Sequence, residues 1–438
     1  MTEQDKVKVP KQNSQHGIKV LVWVPHIAPG GGSRLMMQLL PAIANHPNVE
    51  FLKLAVPYGA FDNARYAPEN TLQLKVIELT EVEEGTLRTW LEEDKRILGI
   101  KGTGKLKRVA RRRLPPRVPD WTSEQLENAA QGCDLIYTFW PHHTDFPEVT
   151  KPIVCTFHDT TLFDFPEIMG ASKTYLELEQ SRVWVKRAAR VVVPSFAIKA
   201  NMVRIFGDYG ASNVVINHAI LPRDRHVEGK SDTDVLSKVP PRYIIFPAGT
   251  AVHKNQYMLL TAWARFQRRR ECPLVFVGPH TDELNRDLAS VTELWAWVRF
   301  VGLFARTGMQ REKDFFALGY VNDADLMTLV KNAAGLIMPT LAEGGGSYPV
   351  EEALSLGVPV LCSDIPVMRE HLAGRSAKIA WFDPESIDSM LKALNSFLDY
   401  YDEYKESAVR AMNDSRPTWD DIADQYVTVF AQVIGAEG

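Results

Sequence analysis

The sequence has no uninterrupted apolar run of the about 20 residues that a helix needs to cross a bilayer. Residues 1–16 also lack the apolar core that a signal peptide requires, which predicts a polar N-terminal tail. Cysteine is scarce, and no C-x-x-C pair occurs, which argues against a disulfide framework and against a zinc site. We therefore expect a cytoplasmic protein with buried free thiols at Cys133, Cys155, Cys272 and Cys362.

A strong charge of either sign is lacking as well. The 438 residues contain 50 Lys and Arg against 54 Asp and Glu, so the formal net charge is −4. A general nucleic-acid-binding protein would carry a basic excess, and nucleic acid is therefore not an expected partner. With 45% hydrophobic and 24% charged residues the chain is not disordered, and its length favours two or three domains.

Short runs rich in valine and isoleucine alternate with longer helical patterns in both halves of the chain. Continuous apolar runs bounded by glycine and proline are typical of parallel strands that are buried on both faces. Their alternation with helices predicts an α/β fold with two doubly wound, Rossmann-like domains. The predicted strands are Ile18–Val24, Leu135–Phe139, Ile153–Phe157, Val191–Pro194, Tyr243–Pro247, Leu274–Gly278, Gly335–Pro339 and Val358–Cys362.

A polar stretch between residues 225 and 240 predicts the boundary between the two domains, because such a stretch cannot bury a core. The pattern from Trp419 to Ile434 predicts a final amphipathic helix. The expected organisation is a tail over 1–16, an N-terminal domain over 17–230, a C-terminal domain over 231–412 and a C-terminal helical segment over 413–438.

Residues 101–119 contain eight lysines and arginines and no acid. Such a run is often a solvated helix or loop. Because Leu106, Val109 and Leu114 are interspersed, the run also suits contact with an anionic membrane or a lipid-diphosphate acceptor, and we favour this second interpretation. It would place the protein at the inner face of the membrane.

Two glycine-rich stretches follow predicted strands. The first, Pro29-Gly30-Gly31-Gly32-Ser33, precedes a helical pattern that begins at Arg34. Glycines allow close approach of a ligand, and the amides of a helix N-terminus suit a diphosphate. The stretch matches neither G-x-G-x-x-G nor a Walker motif, so a plain turn capped by Ser33 is an equal alternative.

The second glycine-rich stretch lies between Glu343 and Glu351, two carboxylates eight residues apart. Glu343 is predicted in a loop after the strand Gly335–Pro339, and Glu351 in the first turns of the next helix. The glycines between them would let backbone amides face a ligand, while the carboxylates accept hydrogen bonds from sugar hydroxyls. The alternative is that Glu351 only complements the helix dipole, but the spacing and the glycines favour a ligand site.

Two further segments place chemically active side chains after predicted strands. Lys254, in a loop before a helix that starts at Asn255, would put a positive charge beside a bound phosphate. His158 comes directly after Ile153–Phe157, at the strand end where α/β sheets bind ligands. A solvated lysine and a structural histidine are the alternatives. The adjacent His142 and His143 do not suit one metal ion, because neighbours on an extended segment point apart.

These elements, in this order, resemble the retaining glycosyltransferases of family 4 and the GT-B fold, in which two Rossmann-like domains face a cleft and a C-terminal crossover helix follows. The spacing of Glu343 and Glu351 is the most specific match, and His253-Lys254-Asn255 resembles the donor-phosphate loop of mannosyltransferase-like members. Leu318-Gly319-Tyr320-Val321 resembles the family's nucleotide-base segment, and Ser415-Arg-Pro-Thr-Trp419 its C-terminal crossover.

The resemblance implies transfer of a hexose from GDP-mannose or a UDP-sugar to a glycan or lipid-linked acceptor, as in polysaccharide or lipid-linked glycan synthesis. It implies catalytic roles for Glu343 on the donor sugar, Lys254 on the departing diphosphate and His158 near the reacting carbon. Glu351 would bind the ribose. Donor binding is implied for Gly31, Gly32, Gly249, Thr250, His253, Tyr320, Val321, Gly345, Gly346, Ser347, Tyr348 and Glu351. No metal or other cofactor is expected beside the nucleotide sugar.

Three other activities stay open at this point. A sugar-nucleotide epimerase or a phosphorylase can be built on a similar two-domain scaffold, and a protein that binds sugar nucleotides need not be an enzyme. Release of nucleoside diphosphate that depends on an acceptor would distinguish the transferase from all three.

Overall fold

A computed structural model of the chain describes residues 17–25, 31–57, 74–78, 121–168, 170–220, 234–285 and 295–436. The eight predicted strands are all present, and their bounds differ from the predicted ones by at most two residues. Their residues are nearly all buried, as expected for parallel strands that are covered on both faces. The basic segment 101–119 lies outside the described residues.

The first sheet has seven strands: β1 (Ile18–Trp23), β2 (Val49–Val56), β3 (Leu74–Glu78), β4 (Leu135–Thr138), β5 (Ile153–Thr156), β6 (Arg190–Val193) and β7 (Val214–Val215). They are ordered β3-β2-β1-β4-β5-β6-β7, and the pairs from β3 to β6 are parallel. In the centre, Leu21 pairs with Lys53 of β2 on one side and with Ile136 of β4 on the other. This is a doubly wound sheet.

The second sheet has six strands: β8 (Ile244–Pro247), β9 (Leu274–Val277), β10 (Phe315–Ala317), β11 (Gly335–Met338), β12 (Val360–Ser363) and β13 (Ala380–Phe382). They are ordered β10-β9-β8-β11-β12-β13, and every neighbouring pair is parallel. The strand order reverses between β8 and β11. Open α/β sheets bind ligands beside the carboxyl ends of strands at such a reversal, so the loops after β8 and β11 are placed to form a site.

Helices connect these strands, and several begin where the sequence supplies a capping side chain. They are α1 (Gly31–Ala44), α2 (Ser123–Ala129), α3 (Thr161–Asp164), α4 (Ala171–Arg187), α5 (Phe196–Phe206), α6 (Asp208–Ala211), α7 (Gln256–Arg265), α8 (Trp295–Thr307), α9 (Asp323–Asn332), α10 (Tyr348–Ser355), α11 (Pro366–His371), α12 (Ile387–Asp399), α13 (Tyr401–Ala411) and α14 (Trp419–Gly435). The Ser195 hydroxyl, for example, accepts a hydrogen bond from the Ile198 amide at the start of α5. The predicted C-terminal helix is confirmed as α14.

The chain divides into two compact units. The first comprises residues 1–157, 183–192 and 419–438, and the second comprises residues 158–182 and 193–418. Helix α14 thus belongs to the first unit, where Tyr426 donates to or accepts from Thr156 at 3.1 Å and packs its ring beside Tyr137. The predicted domain bounds stay a prediction.

The four cysteines are free and buried, which confirms the prediction of free thiols. Burial raises the pKa of each thiol, and that of Cys272 reaches about 12. In the part of the chain that the structure describes, no helix is both long enough and apolar enough to cross a membrane.

Candidate functional site

Lys254 and Glu343 come together at the reversal between β8 and β11. Lys254 lies seven residues after the end of β8 and Glu343 five residues after the end of β11, and these two strands are hydrogen-bonded neighbours. The ammonium Nζ of Lys254 lies 2.5 Å from Oε1 of Glu343. Both side chains keep some exposure to solvent, 22% for Lys254 and 12% for Glu343. The structure therefore joins two segments that the sequence showed only separately.

The loop that carries Lys254 is held by its own backbone and by Asn255. Asn255 has a left-handed backbone with φ of 63°, which asparagine tolerates better than most residues. Its side-chain amide donates to the carbonyls of Pro339 at 3.0 Å and Pro384 at 2.8 Å. The Leu341 amide donates to the His253 carbonyl at 2.7 Å. These bonds join the loops after β8 and β11 and fix Lys254 against Glu343.

The glycines after Glu343 make room for three other segments of the second unit. A side chain at Gly344 would begin 2.1 Å from the His158 carbonyl oxygen, and one at Gly345 would begin 2.8 Å from Cβ of Pro194. Gly346 has φ of +140°, and a Cβ there would lie 2.4 Å from Nδ1 of His371. The Ser195 hydroxyl also donates to the Gly344 carbonyl at 2.9 Å. Glycine is therefore required here by packing; its predicted contacts with a donor stay a prediction.

The backbone of His158 lies beside this glycine stretch, which the sequence did not predict; its catalytic role stays a prediction. Its side chain is buried, and its ring centroid lies 5.4 Å from that of the buried His218. Burial lowers the pKa of His218 to about 4, so this imidazole is neutral over the physiological range. The neutral ring of His218 is thus a neighbour that adds no charge beside His158.

His253, next to Lys254 in sequence, is a half-buried imidazole. Burial and the neighbouring Lys254 lower the pKa of His253, against the opposing influence of Glu343 and Asp159. Its Nδ1 has no hydrogen-bond partner among the described residues. The ring is therefore neutral near pH 7 and offers a polar nitrogen, while Lys254 carries the positive charge of the loop.

Glu351 lies in the first turn of α10 and is buried, with 3% of its side chain exposed. Three basic side chains surround its carboxylate. His371 Nε2 lies 3.2 Å from Oε1, Arg375 Nη2 lies 3.4 Å from Oε2, and Arg416 Nη1 lies 2.6 Å from Oε2. Burial alone would raise the pKa of Glu351, but His371, Arg416 and Arg375 together hold it below its usual value.

The sequence did not predict this cluster. Arg416 is part of the Ser415–Trp419 segment that resembled a C-terminal crossover, so its neighbourhood was visible but its partner was not. Nothing in the spacing of His371 or Arg375 points to Glu351, because β12 separates α10 from α11, which ends at His371, and Arg375 follows α11. Only the folded chain brings them to the carboxylate.

The remaining predicted donor residues lie on the loops after β8, β10 and β11 or in the first unit. The Gly249 carbonyl accepts from Gln256 Nε2 at 2.6 Å, and Thr250 follows it, half-buried. Tyr320 is 51% exposed, and half-buried Val321 comes directly after it. Ser347 is buried and Tyr348 half-buried where α10 starts. Gly31 and Gly32 begin α1 in the first unit. The roles of all these residues stay predictions.

A metal centre was not expected. Within the described ranges, no group of three or more His, Cys, Asp and Glu side chains is arranged to hold a metal ion. The expectation that the reaction needs no metal is a matter for experiment.

In comparisons with known proteins, one segment of the chain matches a family model, and the fold resembles solved structures over most of the chain. Residues 230–412 match the family model of glycosyl transferases group 1. The chain is 25% identical over 334 residues to O-antigen chain mannosyltransferase B of Escherichia coli. The alignment covers 73% of this chain and 79% of that protein.

Two solved structures show the same arrangement of sheets and helices. Sucrose-phosphate synthase from Thermosynechococcus elongatus has a TM-score of 0.59 at 14% identity, covering 95% of this chain and 100% of that one. Anabaena Alr3699/HepE in complex with UDP and glucose has a TM-score of 0.54 at 14% identity, covering 96% and 99%. With the two parallel sheets, these matches confirm the predicted fold class, which is the GT-B fold.

Proposed function

We propose that this glycosyltransferase, whose residues 230–412 form a glycosyl transferases group 1 domain, moves a hexose from a nucleotide sugar to a glycan or lipid-linked acceptor with retention of the anomeric configuration. The observation that carries the proposal is the contact of Lys254 with Glu343 at the strand reversal of the second sheet. There a cation suited to phosphate and a carboxylate suited to sugar hydroxyls lie side by side. A nucleotide sugar presents the same two groups on either side of the bond that breaks.

Lys254 is proposed to stabilise the negative charge that develops on the leaving diphosphate. Its ammonium has three N–H donors, and one of them is directed to Glu343. The others can reach phosphate oxygens while the contact with Glu343 keeps the side chain in place. Fixed charge aimed at a leaving group is usually the largest catalytic contribution, so loss of Lys254 should reduce kcat more than it weakens donor binding.

Glu343 is proposed to accept hydrogen bonds from the donor sugar, and His158 to contact that sugar near the reacting carbon. The close packing of the His158 carbonyl against Gly344, next to Glu343, supports placing them on one substrate. We infer a front-face pathway. The acceptor oxygen forms a bond to the anomeric carbon as the bond between that carbon and the donor's phosphate oxygen breaks. A phosphate oxygen takes the acceptor's proton.

The donor is proposed to be GDP-mannose or a UDP-sugar. The Escherichia coli mannosyltransferase relative supports the first, and the complex of the Anabaena protein with UDP and glucose supports the second. The name of the relative also supports a role in O-antigen or other polysaccharide synthesis. We propose that no metal is needed, because Lys254 and the N-terminal amides of α10 supply positive charge at the phosphate.

The test is release of nucleoside diphosphate from GDP-mannose and UDP-glucose by the full chain, with and without a panel of free and lipid-linked glycan acceptors. We expect acceptor-dependent release that 5 mM EDTA, about a thousandfold excess over enzyme, leaves unchanged, and a product of retained configuration by NMR. Release that needs inorganic phosphate would indicate a phosphorylase, and donor binding without turnover would indicate a binding protein.

Lys254→Ala and Glu343→Ala should each lower kcat about 100-fold or more, the range seen when a group that stabilises transition-state charge is removed. Their melting temperatures should stay near that of the unaltered protein. Lys378→Ala is the matched control, since Lys378 also pairs with a glutamate, Glu403 at 2.6 Å, but on the exposed surface. Near-normal transfer by either site variant would contradict the assignment.

A further inference from the structure

The cluster around Glu351 is more elaborate than a helix-dipole interaction requires. One buried carboxylate contacts two arginines and a histidine that come from α11, from the loop after it and from the segment before α14. A carboxylate complementing a helix N-terminus is commonly solvent-exposed and needs no cation. The two arginines and the histidine therefore act on the Glu351 carboxylate itself and not on the helix N-terminus.

The arginines are themselves held in position. Arg375 is 8% exposed and Arg416 is 16% exposed. Asp414 lies behind them, with Oδ2 at 3.3 Å from Arg375 Nη1, and it accepts hydrogen bonds from the Ser376 amide and hydroxyl. Arg375 is thus paired with two carboxylates, Asp414 and Glu351.

Electrostatics explains why Glu351 needs these partners. A carboxylate moved from water to a buried site tends to take up a proton, because the charged form loses its hydration. Nearby cations reverse that tendency, and the basic side chains that face Glu351 are His371, Arg375 and Arg416.

The three contacts are divided unevenly between the two oxygens of the Glu351 carboxylate. A carboxylate has about four acceptor positions. Arg375 and Arg416 approach Oε2, whereas His371 alone approaches Oε1. His371 packs at the same time against Gly346, which ties the orientation of Oε1 to the glycine stretch after Glu343.

We propose that Arg375 and Arg416 are positioning residues for the donor: they keep Glu351 ionised and turn its Oε1 toward a hydroxyl of the donor's ribose. This inference rests on the proposed function, since the cluster acts on a substrate only if Glu351 binds the donor. Its rival is a purely structural ion cluster, and the two differ in how donor affinity depends on pH.

The experiment measures binding of GDP and of UDP to the full chain by calorimetry at several values between pH 5 and pH 8. At each pH the dissociation constant of the variant is divided by that of the unaltered protein. This ratio is not affected by titration of the nucleotide, because both proteins bind the same nucleotide at the same pH. For Arg416→Gln we expect affinity close to normal at pH 8 and about tenfold weaker, relative to the unaltered protein, at pH 5. The reason is that loss of a cation raises the pKa of the buried Glu351 carboxyl, so more of it is protonated as the pH falls, and one pKa unit corresponds to a tenfold change.

Three further variants make the result specific. Arg416→Lys keeps the charge and should restore the normal pH profile. Glu351→Gln should bind weakly at every pH, and adding Arg416→Gln to it should introduce no new pH dependence, which excludes an effect through His371. If Arg416→Gln does not fold, Arg375→Gln is measured in the same way, with folding checked by circular dichroism.

The proposal would be overturned if the affinity of Arg416→Gln, relative to the unaltered protein, were the same at pH 5 and pH 8. The arginines would then have a structural role. Normal nucleotide binding by Glu351→Gln would overturn it too. The proposed function fails in a different way, by absence of nucleotide binding and of transfer in the unaltered protein, so the two failures are distinguishable.

Discussion

Gly344 makes the closest approach in the glycine stretch. The space that a side chain would need is already filled by the carbonyl of His158, a backbone atom that cannot turn aside as a flexible side chain can. The glycine therefore lets the backbone directly after Glu343 approach the backbone of His158. This is a packing requirement on the site itself.

Gly344→Ala is expected to displace the loop from His158 and to lower kcat about 100-fold, the size of effect that an error of about 1 Å in positioning can have. Overpacking should also cost about 1–3 kcal/mol of the free energy of unfolding. Steady-state transfer rates and urea unfolding measure the two effects.

Gly435→Ala is the control for Gly344→Ala. A Cβ at Gly435, at the end of α14, would meet nothing within 4 Å. That variant should leave both transfer and stability within error of the unaltered protein. If Gly344→Ala behaved in the same way, the contact with His158 would not position the site.

His253 shows how the surroundings of a residue change its chemistry. It stands beside Lys254 in the loop after β8, and burial and Lys254 lower its pKa. Folding lowers the pKa of such a group below its value in the unfolded chain. As the pH falls through the unfolded-state pKa, the native state therefore loses stability relative to the unfolded state. The loop consequently carries one firm cation at neutral pH, which is Lys254.

At the scale of secondary structure, α5 is held at its N-terminus by a carboxylate from another helix. The carboxylate of Glu370, on α11, accepts hydrogen bonds from the amides of Phe196 at 2.9 Å and Ala197 at 3.0 Å, and from the side chain of Asn217 at 2.9 Å. The free amides of a helix N-terminus need such partners, and its dipole favours a negative charge. Glu370 thus joins α5 to α11 within the second unit.

Glu370→Ala should lower the free energy of unfolding by about 1–2 kcal/mol, the usual cost of losing an N-terminal cap. Hydrogen exchange at the amides of Phe196 and Ala197 should also become faster. Glu406→Ala, an exposed position on α13, should change stability by no more than about 0.5 kcal/mol. Unchanged exchange at the two amides would show that Glu370 does not cap the helix.

The strands also show which patterns can be read from sequence. The predicted strands are continuous apolar runs, and all were placed to within two residues. Strand β2 was missed because Glu50 and Lys53 interrupt its apolar pattern, and β10 and β13 were missed because each has only three residues. Short or interrupted strands are stabilised by their neighbours in the sheet, and that information is absent from the local sequence.

At the scale of the whole molecule, the basic segment 101–119 bears on where the protein meets its acceptor. We propose that it binds an anionic membrane surface, where a lipid-linked acceptor would be found. Neutralising several positive charges near such a surface removes about 1 kcal/mol of attraction for each residue. The attraction weakens as salt screens it.

The full chain should bind vesicles of phosphatidylcholine and phosphatidylglycerol, and 0.5 M NaCl, at which the screening length falls to about 4 Å, should weaken that binding. Changing Arg111, Arg112 and Arg113 to glutamate should abolish it in a sedimentation assay. The control changes three exposed basic residues elsewhere by the same charge, namely Lys331, Lys392 and Arg410. Equal binding by both triple variants would remove the membrane interpretation.

The sequence by itself determined the fold class, the eight apolar strands, the buried thiols and the two loops that carry Lys254 and Glu343. These follow from local rules, since apolar runs, glycines and charged residues act within a few positions along the chain. The contact between Lys254 and Glu343 required the strand order, because it depends on β8 and β11 being neighbours. The cluster of His371, Arg375 and Arg416 around Glu351 was decided only by the tertiary structure: a buried carboxylate takes its partners from whatever segments the packing brings near, and no local pattern records which those are.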